Sequence, residues 1–462
     1  MGRGEQAIDP NQPVARTVVR LAWPAIMVSL LQTFVYLADS VMLGQYDRDA
    51  LASMQVSGPV LWSLFSVFMG ATVGTVALVA RAAGEQRPER ASAVARVALR
   101  LGAGLGLLVG LAGLVGTPWI VRVMSPDAGV SALAEQYMRI AFAGYPSACV
   151  ATVAAMVLNG SGDTKTPFWS GLVTNTLNFG INYVLIFGLD LGPVAIPELG
   201  TAGAAAGTAI AFTVEAGILL AVLAGSSRSV NAGGWWRTPR PGDRQVRGEL
   251  VRLSAPALLE RVVVHAGFLS FARVIAELGP LAMATNQALI GLESICFLGA
   301  EGFGVAAGTV VGQFLGLGQQ ERAAHGGWIA TGLCALTLTL CGVTVWLTAP
   351  WTLQLFADEG ASAAALITEG LRAVPVLAAA QPLMACGVVL GHALRGAGDT
   401  RSPLIASFFG GLCVRVTGAW VLAHVAGLGV LGIWLATTLD WGLRTAMLGT
   451  VFIGGRWRHI QL

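Results

Sequence analysis

The chain has 462 residues; 55% are hydrophobic, only 11% are charged, 60 are Gly, and the formal net charge is +3. A soluble domain carries about 25% charged residues. A globule with so few could not cover its own surface, and so much apolar content excludes a disordered chain. A net charge this small gives no basis for a nucleic-acid partner, which leaves a polytopic helical protein solvated by lipid.

In chain order, residues 1–16 (MGRGEQAIDPNQPVAR) are polar and lack the apolar core of a cleaved signal peptide. They read as an N-terminal tail. Six apolar segments follow near 17–43, 51–80, 94–120, 132–158, 167–189 and 200–225. Each is close to or above the about 20 residues that cross a bilayer. The most polar internal stretch, 226–248, comes next and carries Arg228, Arg237, Arg240, Arg244 and Arg247 with the Trp235–Trp236 pair. It reads as a connector whose tryptophans suit the headgroup level. Six more segments lie near 249–278, 281–314, 324–350, 362–394, 402–427 and 429–454, before a short tail over 456–462.

The expected fold is therefore all-α and integral to the membrane, with about twelve spanning helices. They divide into an N-terminal six-helix bundle (17–225), the connector (226–248) and a C-terminal six-helix bundle (249–455). The cations are almost all Arg, and they collect on one side of this topology. With the N-terminus inside, only Arg48 and Arg122 fall in outside loops. The positive-inside rule then puts both termini in the cytoplasm and favours an even number of spans.

The two halves repeat each other. Pro24 pairs with Pro256, Ala52 with Ala284, Gln55 with Gln287, Gly70 with Gly302 and Gly84 with Gly316, all at one separation. The run NGSGDTKTP from Asn159 to Pro167 pairs with RGAGDTRSP from Arg395 to Pro403, and Thr208 pairs with Thr437. Six helices are an even number, so the second unit has the same orientation as the first. Parallel repeats of this kind are a transporter architecture with the substrate site between the halves.

Several groups of residues suggest chemistry, most of them beside a plainer reading. Gly162 and Gly398 permit tight turns, and Asp163 and Asp399 can cap the helices that follow. These loops read as stiff cytoplasmic hairpins rather than as ligand loops. Asp39 lies in LQTFVYLADSVMLG with no cation within a helical turn. A carboxylate at that depth is costly to keep, which makes it a natural proton carrier; the plainer reading is a hydrogen bond to a neighbouring helix. Gln32 and Tyr36 could face the same cavity. Asn178 and Asn182 are four apart on one helical face and can hydrogen-bond a carboxylate or simply join helices. Glu260 could bind a cation or a proton, or pair with Arg261 or an Arg on another helix. His265 titrates near neutrality as a type but is more often a satisfied bundle residue. Glu293, Glu301, Arg139, Arg273, Arg415, Asp440 and Arg444 also fall in predicted helices, with their pairing open. Trp62, Phe65, Phe68, Met69, Phe268, Phe271 and Phe297 could line a pocket for flat cations, although packing is their ordinary use. The six cysteines lack C-x-x-C spacing and read as small buried hydrophobes, with no metal or disulfide framework expected. No P-loop, H-E-x-x-H or nucleophile elbow is present, so no enzyme is expected.

Together, the paired G-D-T-x-x-P loops, the Pro24…Asp39…Gly44 helix and the Gly302–Gly316 segment resemble the multidrug and toxic compound extrusion (MATE) family across nearly the whole chain. Within it, the prokaryotic DinF-type branch is the expected placement. The resemblance implies a V-shaped pair of six-helix bundles. It also implies export of amphipathic, often cationic, drugs or dyes by alternating access, coupled to inward H⁺ or Na⁺. Asp39 is similar to the family's first-helix carboxylate and Asn178 to its fifth-helix Asn. Asn182 stands where some members carry Asp. Glu260 is similar to a seventh-helix Glu, set one turn closer to its Pro. The tenth-helix acid of sodium-coupled members is absent from Pro382-Leu-Met-Ala-Cys386, which favours H⁺. The expectation is a monomeric antiporter of the inner membrane, without cofactor, contacting drugs and the bilayer. A lipid-linked oligosaccharide or lipid flippase of the same superfamily is the alternative. Channels commonly use symmetric filters or rings, whereas a two-fold repeat with unequal acids suits a transporter better, and a scaffold or receptor would offer no reason for a lone Asp39.

Overall fold

A computed structural model of the chain describes residues 8–9, 12–124, 127–190, 195–225, 230–356 and 361–462, apart from the side chains of residues 32, 33, 36, 295, 361 and 362. All twelve apolar segments form helices. In the first half these are α1 (Val14–Tyr46), α2 and α3 (Arg48–Thr72 and Gly74–Gly84), α4 (Pro88–Met124), α5 (Ala128–Ser161), α6 (Lys165–Phe187) and α7 (Thr201–Ala224). α2 and α3 make one span, interrupted only at Val73. A two-residue antiparallel hairpin, β1 (Leu189–Asp190) and β2 (Ala195–Ile196), separates α6 from α7.

The second half holds α8 (Asp243–Ala276), α9 (Pro280–Gly316), α10 (Gln320–Thr352), α11 (Ala361–Ala397), a span from Arg401 to Val425, and α14 (Gly429–Gly454). The Arg401–Val425 span is composite. Its α-helical pieces α12 (Arg401–Ser407) and α13 (Arg415–Trp420) alternate with π-helical turns at Phe408–Val414 and Val421–Val425. α8 starts at Asp243, inside the stretch read as connector, because its first two turns leave the apolar zone and expose Arg244, Gln245 and Arg247.

Nine of the helices among the described residues are long and apolar enough to cross a membrane. The three that fall short are α6, α8 and α14. They carry Asn175, Asn178 and Asn182, then Glu260 and Arg261, then Asp440 and Arg444, and a few such residues outweigh the apolar remainder in a hydropathy average.

The chain divides into two units, one holding Met27–Val251 and the other Ile8–Ile26 with Arg252–Leu462. In the first, α4 and α5 meet along Gly102, Gly106 and Gly110. A Cβ at these positions would fall 2.7 Å from Val153, 2.8 Å from Cys149 and 2.8 Å from the Phe142 carbonyl. Small residues at every fourth position let helix backbones approach where no hydrophobic effect drives them together. In the second, the start of α1 is core: Val18 and Leu21 are buried among Val310, Phe314, Leu390 and Leu394. There a Cβ on Gly302 would fall 2.6 Å from the Ile26 backbone nitrogen.

The repeat is visible bond for bond at the two glycine loops. α5 and α11 end on Gly162 (φ 92°) and Gly398 (φ 98°), the left-handed conformation that only Gly adopts cheaply. Asp163 N–H donates to the Leu158 carbonyl at 2.9 Å, and Asp399 N–H to the Leu394 carbonyl at 2.8 Å. The Asp163 carboxylate accepts from Thr166 N–H (3.0 Å) and Oγ1 (2.6 Å), and the Asp399 carboxylate from Ser402 N–H (3.0 Å) and Oγ (2.6 Å).

Candidate functional site: a buried carboxylate–amide cluster

In the first unit, α1 brings Asp39 to α6, where Asn178 and Asn182 occupy one face a turn apart. Asn182 Nδ2 donates to Asp39 Oδ1 at 2.7 Å and to Asn178 Oδ1 at 3.3 Å. Asn178 Nδ2 in turn donates to Thr208 Oγ1 of α7 at 3.4 Å. Asp39 is 6% exposed, Asn178 2% and Asn182 0%. Gly207 makes the approach possible, since a Cβ there would collide with Asn182 Oδ1. That oxygen is buried and, among the described residues, lacks a hydrogen-bond partner.

Among the described residues no cation pairs with Asp39. Among the described residues its hydrogen-bond donor is the Asn182 amide N–H, which serves a carboxylate or a protonated carboxyl about equally well in position and differs only in strength. A group held this way can exchange a proton without dismantling a salt bridge. Thr208 belongs to the cluster although sequence reasoning noted it only for its repeat partner Thr437. Asn175 makes no hydrogen bond to the cluster. α1 carries Gln32 and Tyr36 at its middle, but their side chains lie outside the described residues.

The second unit holds different chemistry. Glu260 pairs with Arg395 of α11 at 2.6 Å and accepts from Ser407 Oγ at 2.9 Å. Its ion-pair partner is thus the first residue of the second glycine loop. One turn earlier on α11, His392 Nε2 lies 3.1 Å from Glu301 of α9. His265, next along α8, bonds to neither, and its buried Nε2 has no partner among the described residues.

A further ionic cluster went unpaired in sequence reasoning. Asp440, fully buried, is held by Arg444 (2.6 Å) from its own helix and by Arg415 (2.8 Å) from α13. The Trp441 ring lies 4.9 Å from the Arg444 guanidinium and 5.7 Å from that of Arg415, and Phe271 lies 5.7 Å from Arg415. Glu293 feels the charges of Arg415 and Asp440, and its buried Oε1 has no hydrogen-bond partner among the described residues. The π turn before Arg415 makes the room: a Cβ on Gly410 would strike Asp440 and one on Gly411 would strike Arg444. The four-residue spacing of Asp440 and Arg444 was the legible half of this cluster. The register that pairs Pro24 with Pro256 sets Phe271 opposite Asp39. Equivalent positions of the repeat therefore carry a carboxylate in one unit and an aromatic under a guanidinium in the other.

Glu215 was missed altogether. It interrupts the apolar run of α7 two turns past Thr208, half-buried and without an ion pair among the described residues. Of the aromatics considered for a pocket, Phe68 and Phe271 are buried, whereas Trp62 and Phe268 are exposed.

The MatE family profile matches residues 24–184 and 256–421, one match in each half of the repeat. A probable multidrug resistance protein NorM of Thermotoga maritima is 28% identical over 450 residues, covering 96% of this chain and 93% of that protein. A crystal structure of a MATE protein in complex with MaL6 superimposes with a TM-score of 0.87 at 22% identity, covering 99% of this chain and 98% of that one. A multidrug resistance MATE transporter in the outward-facing conformation gives 0.85 at 22% identity, covering 97% and 96%.

Proposed function

Because the chain belongs to the MATE family, whose members are transporters and not enzymes, we propose that it is a secondary active multidrug exporter. Its substrates in this reading are amphipathic, often cationic, small molecules, moved by alternating access against an inward flow of H⁺. The hydrogen bond from Asn182 to Asp39 carries the proposal. Protonation of Asp39 removes the charge that the amide stabilises and weakens the tie between α1 and α6. A substrate cation and a proton need only compete for this one carboxylate to be coupled. Proton coupling is favoured over sodium because the cluster offers one carboxylate, two amides and a hydroxyl. A dehydrated Na⁺ is better served by more anionic oxygen.

In this reading the protein is a monomer of the inner membrane, and the Arg bias puts both termini in the cytoplasm. The glycine loops then lie on the cytoplasmic side as stiff hairpins. Glu260 and His265 remain the second candidate site, with Glu260 held in reserve by Arg395.

The test is dye efflux from proteoliposomes with either a pH gradient or a Na⁺ gradient imposed alone. Efflux driven by pH supports the reading. Efflux driven only by Na⁺ overturns the choice of ion, and no efflux under either gradient would transfer weight to a lipid flippase.

A further inference from the structure

At the connector end of the first unit, a cavity of about 690 Å³ opens between the start of α4, residues 231–242 and the start of α8. Arg90, Ser92, Arg96, Asn231, Arg240 and Gln245 are among its lining residues. The acids that also line it are mostly taken. Asp243 pairs with Arg100 at 2.7 Å, and Glu249 with Arg90 at 3.4 Å. Glu89 is exposed at the rim. Arg96 is the exception on the floor. It is 8% exposed, and among the described residues its buried Nε has no hydrogen-bond partner and no ion pair reaches it. Its charged neighbours are Arg240, Asp243 and Arg100, so cations outnumber the single, already paired carboxylate.

A buried guanidinium left unpaired is expensive, and an anion that fills the cleft offsets that cost. Two helix N-termini, of α4 and α8, line the same cleft and favour negative charge. Arg presents a planar fork that matches phosphate oxygens. Outside the lining residues, Arg100, the partner of Asp243, donates from Nε to the Trp235 carbonyl at 2.6 Å, and the Trp236 ring is exposed, as a side chain at headgroup level would be. We propose that this cleft binds a phosphate-bearing anion, an anionic phospholipid headgroup or a soluble phosphate, with Arg96 at its floor and Arg240 at its rim. Basic pockets at the ends of membrane helices take phospholipid headgroups on these same terms.

The full-length protein, reconstituted in phosphatidylcholine nanodiscs, is melted with increasing phosphatidylglycerol, and separately with inorganic phosphate in the buffer, at one fixed ionic strength. The midpoint rises with phosphatidylglycerol in the wild type, and the half-saturating fraction increases about tenfold in Arg96→Gln, the loss of a charge-assisted hydrogen bond. Arg240→Gln weakens binding several-fold and, being on the exposed rim, carries the test if Arg96→Gln does not fold. Arg456→Gln, far along the chain on an exposed turn, leaves the titration unchanged. Protection by inorganic phosphate alone, lost in the same variants, sustains the site and identifies a soluble occupant. If Arg96→Gln and Arg240→Gln both keep the wild-type response to lipid and to phosphate, the proposal is wrong.

Discussion

Asp39 and Asp440 are both buried carboxylates, yet they answer to different physics. Asp39 rests on an amide, so neutralising it leaves no charge stranded. Asp39→Asn is expected to reduce gradient-driven dye efflux to the background of empty liposomes while the melting midpoint stays near wild type; full transport by this variant would falsify the coupling role. Asp440 rests between two guanidiniums. Asp440→Asn strands both, and breaking a buried pair costs about 3–5 kcal/mol. A marked drop in thermal midpoint should therefore accompany any loss of transport, and an unchanged midpoint would show that the cluster does not hold the second unit together. Asp243, outside the spans, gives a pH signature. Burial by itself would raise its carboxyl, but the Arg240 N–H, then the Arg100 guanidinium, outweigh that and hold it below the ordinary value of 3.8. The folded state therefore binds this proton less readily than the unfolded one. The stability it contributes is complete above that ordinary value and is lost as pH falls below it. Melting midpoints measured down through about pH 4 should decline in the wild type and decline less in Asp243→Asn.

At the scale of elements, the sequence announces where helices begin and end because capping is local. The Gly-Asp-Thr loops sit within a few residues of the groups they satisfy, and Asp163 and Asp399 make the same bonds in both halves. Asp163→Ala and Asp399→Ala should each cost about 1 kcal/mol, the usual value of an N-cap. The double variant should cost their sum, since the two loops share no partner; thermal unfolding of the three variants reads this directly. The π turns in the Arg401–Val425 span were not legible. They follow from the need to seat Asp440 and Arg444 against Gly410 and Gly411, and nothing in the local pattern FFGGLCV signals that need. The two-residue hairpin between α6 and α7 was equally silent, being too short to show an alternating pattern.

At the scale of the molecule, α1 is shared. Sequence reasoning started a bundle at residue 17 and kept the helix whole, whereas its residues through Ile26 count with the second unit and those from Met27 with the first. Leu21 is 1% exposed in the second unit's core. Leu21→Ala should destabilise that unit by about 2–5 kcal/mol. Hydrogen exchange should then quicken in α9 and α10 and not in α4 and α5. Faster exchange confined to α4 and α5 would mean that α1 belongs wholly with the first unit.

The sequence by itself determined the membrane class, the twelve helical segments, the parallel repeat, the paired caps and the lone carboxylate of α1. Each of these is written in hydropathy, in spacing or in residues a few positions apart. Only the tertiary structure decided partners: Asn182 for Asp39, Arg395 rather than Arg261 for Glu260, Arg415 with Arg444 for Asp440, and, among the described residues, none for Arg96. Which side chains meet across two helices depends on their rotation and on how closely their backbones approach. Those quantities are set by small residues such as Gly207, Gly410 and Gly411, far along the chain from the charges they admit.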